Sequence, residues 1–259
     1  MNQSALKKLA LVGYTAHGLV YGLVGMLAVS AAMSKSRAKG EEGVWHAFLD
    51  QPLGQMLLIL MGCGLLAYAV FRTVEAIGDG NKSKGIVHRA GAMMSAFANA
   101  VLGVTALGAA VPAAKKAVGG SGHSAKSLTA DALSQPFGEW LVGFVGVLLI
   151  LVGIFQISLA WSLKFKEKMR LEPMSSSEQR WATRAGVVGI IARALVFIVT
   201  GGLIVRAGFN ENPTQAGSMQ AALQAVESQG SWYLLLLAAG LIVYAIYQFF
   251  LARYAETSR

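Results

Sequence analysis

Apolar residues arrive in six long blocks, at 9–33, 53–71, 90–114, 140–163, 185–205 and 232–252. Each approaches or exceeds the ~20 residues with which a helix crosses a bilayer. None alternates with period two, and Leu, Ala, Gly and Met dominate them, which excludes membrane strands. Six helical crossings follow. The longest polar interval, 164–183, holds Pro173 and Ser175-Ser176-Ser177 and reads as a linker. Within it, a helical 163–170 would set Lys164, Lys166, Lys168 and Arg170 against phosphate headgroups.

The pattern repeats. A shift of 176 positions lays Ala16, His17, Tyr21 and Gly25 on Ala192, Arg193, Phe197 and Gly201, and also lays Gly54, Leu65 and Tyr68 on Gly230, Leu241 and Tyr244. In the middle of the chain, Gly91, Ser95, Asn99 and Gly103 fall under Gly13, His17, Tyr21 and Gly25. Gln135-Pro136-Phe137-Gly138 falls under Gln51-Pro52-Leu53-Gly54. These are three copies of a unit of about 75 residues. The expected architecture is therefore an all-α integral membrane protein, one membrane domain over 1–259 with repeats at 9–79, 87–165 and 184–254. Its six transmembrane helices form three parallel hairpins in a pseudo-threefold arrangement. Outer interfacial segments are expected near 44–51, 128–135 and 218–229, with Trp45 and His46 in an interfacial belt.

Composition agrees with the pattern: 55% of the residues are hydrophobic and 14% charged, against roughly 25% charged in soluble domains. The formal charge of +9 is informative by position. Lys7 and Lys8, the intervals 72–89 and 164–184, and Arg253 and Arg259 place fourteen Lys and Arg on one side. Lys35, Arg37, Lys39, Lys115, Lys116, Lys126 and Arg206 make seven on the other. The positive-inside rule then puts both termini in the cytoplasm. The basic excess is a topology signal, with anionic lipid as the partner of the basic loops and no nucleic acid. Cys63 is the one cysteine, so neither an internal disulfide nor a cysteine metal site is open to the chain. Lys7-Lys8 and Val29-Ser30-Ala31-Ala32 mimic a signal peptide, but the apolar run is long and is matched by the fifth block, so it reads as a retained helix.

Small residues stripe several helices: Gly18 with Gly22, Ala92-Ala96-Ala100-Gly103, and Gly143 with Gly146. Such stripes let helices approach closely. Polar residues inside the blocks are a different matter. An arginine facing lipid costs about 2.5–3.5 kcal/mol on insertion scales, and Arg193 interrupts the fifth block. By the internal alignment it corresponds to His17 and Ser95, while Phe197 one turn on corresponds to Tyr21 and Asn99. Arg72, Gln156 and Gln248 occupy equivalent places on the even-numbered helices, with Tyr68 and Tyr244 a turn earlier and Glu75 three residues after Arg72. The candidate site is a buried polar cluster of His17, Tyr21, Arg72, Glu75, Ser95, Asn99, Gln156, Arg193 and Gln248. In it Arg193 pairs with Glu75 or a bound anion. The alternative is that these groups only bridge helices, with Arg72 and Glu75 in headgroup water and Arg193 snorkelling. The four histidines fall at different depths, so no shared metal site is expected, and no cofactor is implied.

Catalytic signatures are missing. The sequence holds no His-Glu-xx-His pair, P-loop, dinucleotide fingerprint or pair of intramembrane carboxylates. Gly120-Ser121-Gly122-His123 lacks the strand-to-helix elbow a nucleophilic serine needs. His17 beside Tyr21 is capable of acid–base work, but nothing specifies a substrate. The expectation is a non-enzymatic membrane protein that binds lipid, a partner or its own copies. The alternative is a small solute or ion transporter or channel with its site at a repeat interface. Mitochondrial carriers share the three-hairpin plan, but their kinking prolines end odd-numbered helices, whereas Pro52 and Pro136 open even-numbered ones.

Gly13-Tyr14-xx-His17-Gly18-xx-Tyr21-xxx-Gly25, Pro52-Leu53-Gly54, Leu65-xx-Tyr68 and Glu75-Ala76-xx-Asp79 together resemble the bacterial domain-of-unknown-function family 1206 (DUF1206). The resemblance implies a six-helix protein of the bacterial inner membrane with three tandem two-helix units, and it carries no activity. Where the family tends to have Arg-Gly, this chain has His17-Gly18, while Arg193 is followed by Ala194.

Overall fold

The computed structural model describes residues 3–34, 49, 54–77, 86–111, 125–135, 137–210 and 218–254. Among them the regular structure is helical: α1 Gln3–Ser34, α2 Gly54–Ile77, α3 Ile86–Ala110, α4 Ala125–Leu133, α5 Gly138–Trp161, α6 Ser176–Phe209, α7 Met219–Gln229 and α8 Ser231–Tyr254. Six of these (α1, α2, α3, α5, α6 and α8) are long and apolar enough to cross a membrane. The expected segment at 44–51 lies outside the described residues apart from Leu49, as do Pro52, Pro136 and the loop 120–123.

The helix ends correct the linker. Ser175 and Glu178 close a capping box, with Glu178 N donating to Ser175 Oγ at 3.2 Å and Ser175 N to Glu178 Oε2 at 2.8 Å. Helix α6 therefore starts at Ser176 and absorbs residues 176–183, which the apolar pattern left in the linker. Nor does 163–170 form a helix on headgroups. It makes a single 3-10 turn over Lys164–Lys168 that drives Phe165 inward, where the ring is fully buried and meets Tyr247 edge-on at 5.5 Å. Gly186 clears the space, since a Cβ there would come within 2.7 Å of the ring. The turn is tied to α8 by Arg170 N donating to Tyr254 O at 2.8 Å, and α8 to α6 by Tyr254 Oη donating to Glu178 Oε1 at 2.8 Å.

Close approaches order the bundle. Helix α1 packs on α2 and α8, α2 also on α3, α8 also on α6, and α6 on α5, while α4 rests on α5 and α7 on α6 and α8. Small residues meet at three of these seams. A Cβ on Gly103 would lie 3.0 Å from Gly62 O, one on Gly201 2.6 Å from Gly146 O, and one on Gly25 3.0 Å from Ala238 O. Those three pairs occupy equivalent positions of the three copies, each joining the second helix of one copy to the first helix of another. Inside a copy, Gly13 lies against Tyr68 and Gly189 against Tyr244, and Gly64 lies against Ala16 and Gly240 against Ala192.

The middle copy breaks this rule. Gly91, equivalent to Gly13 and Gly189, has nothing among the described residues within 4 Å of its Cβ position. Where the other copies carry the small pairs Ala16·Gly64 and Ala192·Gly240, the sequence here has Met94 and Leu148. Among the described residues α3 packs on α2 and α5 on α6, with at most marginal contact between α3 and α5.

Candidate functional site

Helical spacing builds the site. His17 and Tyr21 share a face of α1, Arg193 and Phe197 a face of α6, and Tyr68 with Arg72 and Tyr244 with Gln248 share faces of α2 and α8. In the first copy the His17 ring stacks on Tyr68 with centroids 5.2 Å apart and meets Tyr21 edge-on at 5.2 Å. The Arg193 guanidinium takes the same place in the third copy, 5.3 Å from the Tyr244 ring and 4.8 Å from Phe197. The two copies interlock. Tyr21 meets Tyr244 at 4.9 Å, Arg193 sits 5.8 Å from Tyr21, and the Gln248 amide nitrogen donates to His17 Nδ1 at 3.3 Å.

Arg193 donates from Nη1 to Tyr244 Oη at 2.6 Å. Its Nε is buried and has no hydrogen-bond partner. Among the described residues the one ion pair is Arg72 with Glu75, three residues apart on α2, so the expected Arg193–Glu75 pair does not form. Neighbouring turns of one helix satisfy Glu75, while packing of α6 against α8 and α1 gives Arg193 aromatic faces instead. Arg72 also lies 6.0 Å from the Tyr68 ring, and its side chain is buried within the bundle, not in headgroup water.

The second copy contributes less. Asn99 is buried, donates to the Ser95 carbonyl of its own helix at 2.7 Å and lies beside the His17 ring. Ser95 is half-buried and its hydroxyl has no role in the cluster. Gln156 is half-buried on α5, with no hydrogen bond among the described residues. The sequence reading also omitted members. Tyr14 meets Tyr68 at 5.1 Å and Phe71 at 6.1 Å, and Tyr247 meets Tyr244 at 6.1 Å. Their signal was the spacing of three that puts Tyr14 on the face of His17 and Tyr247 on that of Tyr244.

The result is a polar chamber in which aromatic rings, packed at centroid distances of 4.9–6.1 Å, surround two guanidinium groups and, among the described residues, one carboxylate. Arg72 Nε, Arg193 Nε, Asn99 Oδ1 and Gln248 Oε1 are buried without partners, and such a group costs about 1–3 kcal/mol. The unused Nε–H donors of Arg72 and Arg193 suit an anionic oxygen ligand, while the two amide oxygens are acceptors and suit a hydroxyl or a water. No group of three His, Cys, Asp or Glu able to hold a metal occurs among the described residues. His46 and His123 lie outside them, and Cys63 is free and exposed.

Fold and chamber together define a helical protein with the makings of a multi-pass membrane protein and a polar interior enclosed by repeated hairpins. The chain belongs to the Domain of Unknown Function family DUF1206, whose profile matches three times, at residues 12–79, 90–162 and 188–255. It is also 30% identical over 248 residues to the uncharacterised protein YxxB of Bacillus subtilis (strain 168), covering 93% of this chain and 88% of that protein. No solved structure matches.

Proposed function

We propose that this is a non-enzymatic, multi-pass protein of the bacterial cytoplasmic membrane that binds an anionic group in the chamber between its first and third repeats. One observation carries the reading: Arg193 is held by a tyrosine hydroxyl and three aromatic rings, with a buried Nε that no group among the described residues uses. A guanidinium kept only to bridge helices gains most from a carboxylate, and the chain spends its nearby Glu75 on Arg72. The three hairpins run parallel about a pseudo-threefold axis with both termini cytoplasmic. The equivalent glycine contacts at three seams support the arrangement, and the fourteen-to-seven division of basic residues supports the orientation. Anionic lipid at the basic loops, and a second copy or another protein on the small-residue faces, are the partners this architecture suits.

Calorimetric titration of inorganic phosphate into protein in an uncharged detergent tests the reading. Wild type binds at one site, and Arg193→Gln, melting as wild type does, binds none. Equal binding by a well-folded Arg193→Gln refutes it. Transport of a small anion is the second reading, favoured by the chamber's place at a repeat junction. Its mark is uptake of labelled phosphate by proteoliposomes that Arg193→Gln abolishes.

A further inference from the structure

The open side of the second hairpin points to a specific occupant. We propose that the groove between α3 and α5 holds an acyl chain of an anionic phospholipid whose phosphate reaches Arg193 and Arg72 in the chamber. The inference rests on the anion-binding reading above and names its ligand and its route.

The three copies act as internal controls for one another. Val20 and Val196 are fully buried, yet their equivalent Ala98 is exposed. Met61 and Leu237 are 4% and 7% exposed, yet their equivalent Val145 is 43% exposed. Gly91 completes the groove wall with open space beyond it. Positions sealed by protein in two copies are thus left for something else in the third, and all of them are apolar. The strip carries polar residues at two levels. Asn99, next to Ala98 on α3, and Gln156, near the end of α5, stand where the other copies carry Tyr21 with Phe197 and Arg72 with Gln248, the residues that line the chamber.

Dimensions and charge select the ligand. From Val145 to Gln156 is eleven residues, roughly 16 Å of helix at 1.5 Å per residue and about half of the ~30 Å hydrocarbon core. That is the depth of one leaflet. A chain lying along it ends at a chamber where, among the described residues, two guanidinium groups face a single carboxylate and Arg193 Nε and Arg72 Nε are donors without a partner. A phosphate diester is an acceptor for such donors, whereas a zwitterionic headgroup brings its own cation against Arg193.

The test is native mass spectrometry of protein released from nanodiscs of equal parts phosphatidylcholine and phosphatidylglycerol. Wild type is expected to retain one phosphatidylglycerol. Gly91→Phe fills the groove at a position with no neighbour to strike, and is expected to lose the retained lipid while still binding inorganic phosphate. Val145→Trp reads the same groove should Gly91→Phe melt lower than wild type. Arg193→Gln is expected to lose both ligands. Retention of phosphatidylglycerol by both groove variants at the wild-type level overturns the proposal, as does equal retention of phosphatidylcholine by wild type. Phosphate binding without phosphatidylglycerol retention defeats the groove alone, whereas absence of phosphate binding defeats the anion reading beneath it.

Discussion

The Arg193–Tyr244 contact makes a quantitative prediction, because Tyr244 is buried, Arg193 is half-buried, and the 2.6 Å hydrogen bond is the one Arg193 makes among the described residues. Tyr244→Phe keeps the aromatic face under the guanidinium and removes the hydroxyl. The loss is a hydrogen bond to a charged group, about 2 kcal/mol. Arg193→Leu removes the charge but strands the Tyr244 hydroxyl, and the relief of the first offsets part of the second, leaving a cost of about 1 kcal/mol. The double variant leaves neither charge nor hydroxyl. Replacing a buried ionic group by apolar side chains of similar volume is often neutral or better, so its expected cost is about zero and the coupling about 3 kcal/mol. Equilibrium unfolding in dodecylmaltoside–SDS mixed micelles, followed by tryptophan fluorescence, measures all four corners of the cycle. A double variant that costs the sum of the singles refutes the reasoning, since Arg193 would then be stabilised by something other than Tyr244.

Two further tests probe the packing. Gly146→Ala sets a Cβ 2.7 Å from the Gly201 carbonyl oxygen and the Val205 backbone nitrogen, and is expected to cost about 1–3 kcal/mol by overpacking. Gly91→Ala meets nothing and is expected to raise stability by up to about 1 kcal/mol through helix propensity; thermal unfolding in detergent compares the pair. Phe165→Ala, which empties the pocket between Gly186 and Tyr247, is expected to cost about 3–5 kcal/mol. It is also expected to speed tryptic cleavage at Lys164–Lys168, read by intact mass.

The six long apolar helices were legible because the length and composition that suit a bilayer are written in each helix separately. Helix ends depend on a few local bonds. Ser175-xx-Glu178 is a capping signature that the broad apolar pattern overlooks, and Phe165 reads as one apolar residue among lysines until Gly186 is seen to make room for it. The internal alignment gave the depth of His17, Arg193, Arg72 and Gln248 along their helices, and this is why most of the cluster was visible. It did not give neighbours. Glu75 stays with Arg72 because they share a helix, and Gln156 stays apart because α3 and α5 do not close. The sequence does differ there, with Met94 and Leu148 where the other copies have Ala and Gly, a difference visible only when the copies are compared at their small residues instead of at their polar ones.

The central claim is that Arg193 is kept to hold an anion. A crystal structure grown from a lipid mesophase containing phosphatidylglycerol tests it most directly. The account predicts density for a phosphate oxygen about 2.7–3.2 Å from Arg193 Nε, with an acyl chain leading away past Asn99 toward Val145. Arg193 Nε bonded instead to a carboxylate of the chain, or to water alone with no anion in the chamber, would contradict it.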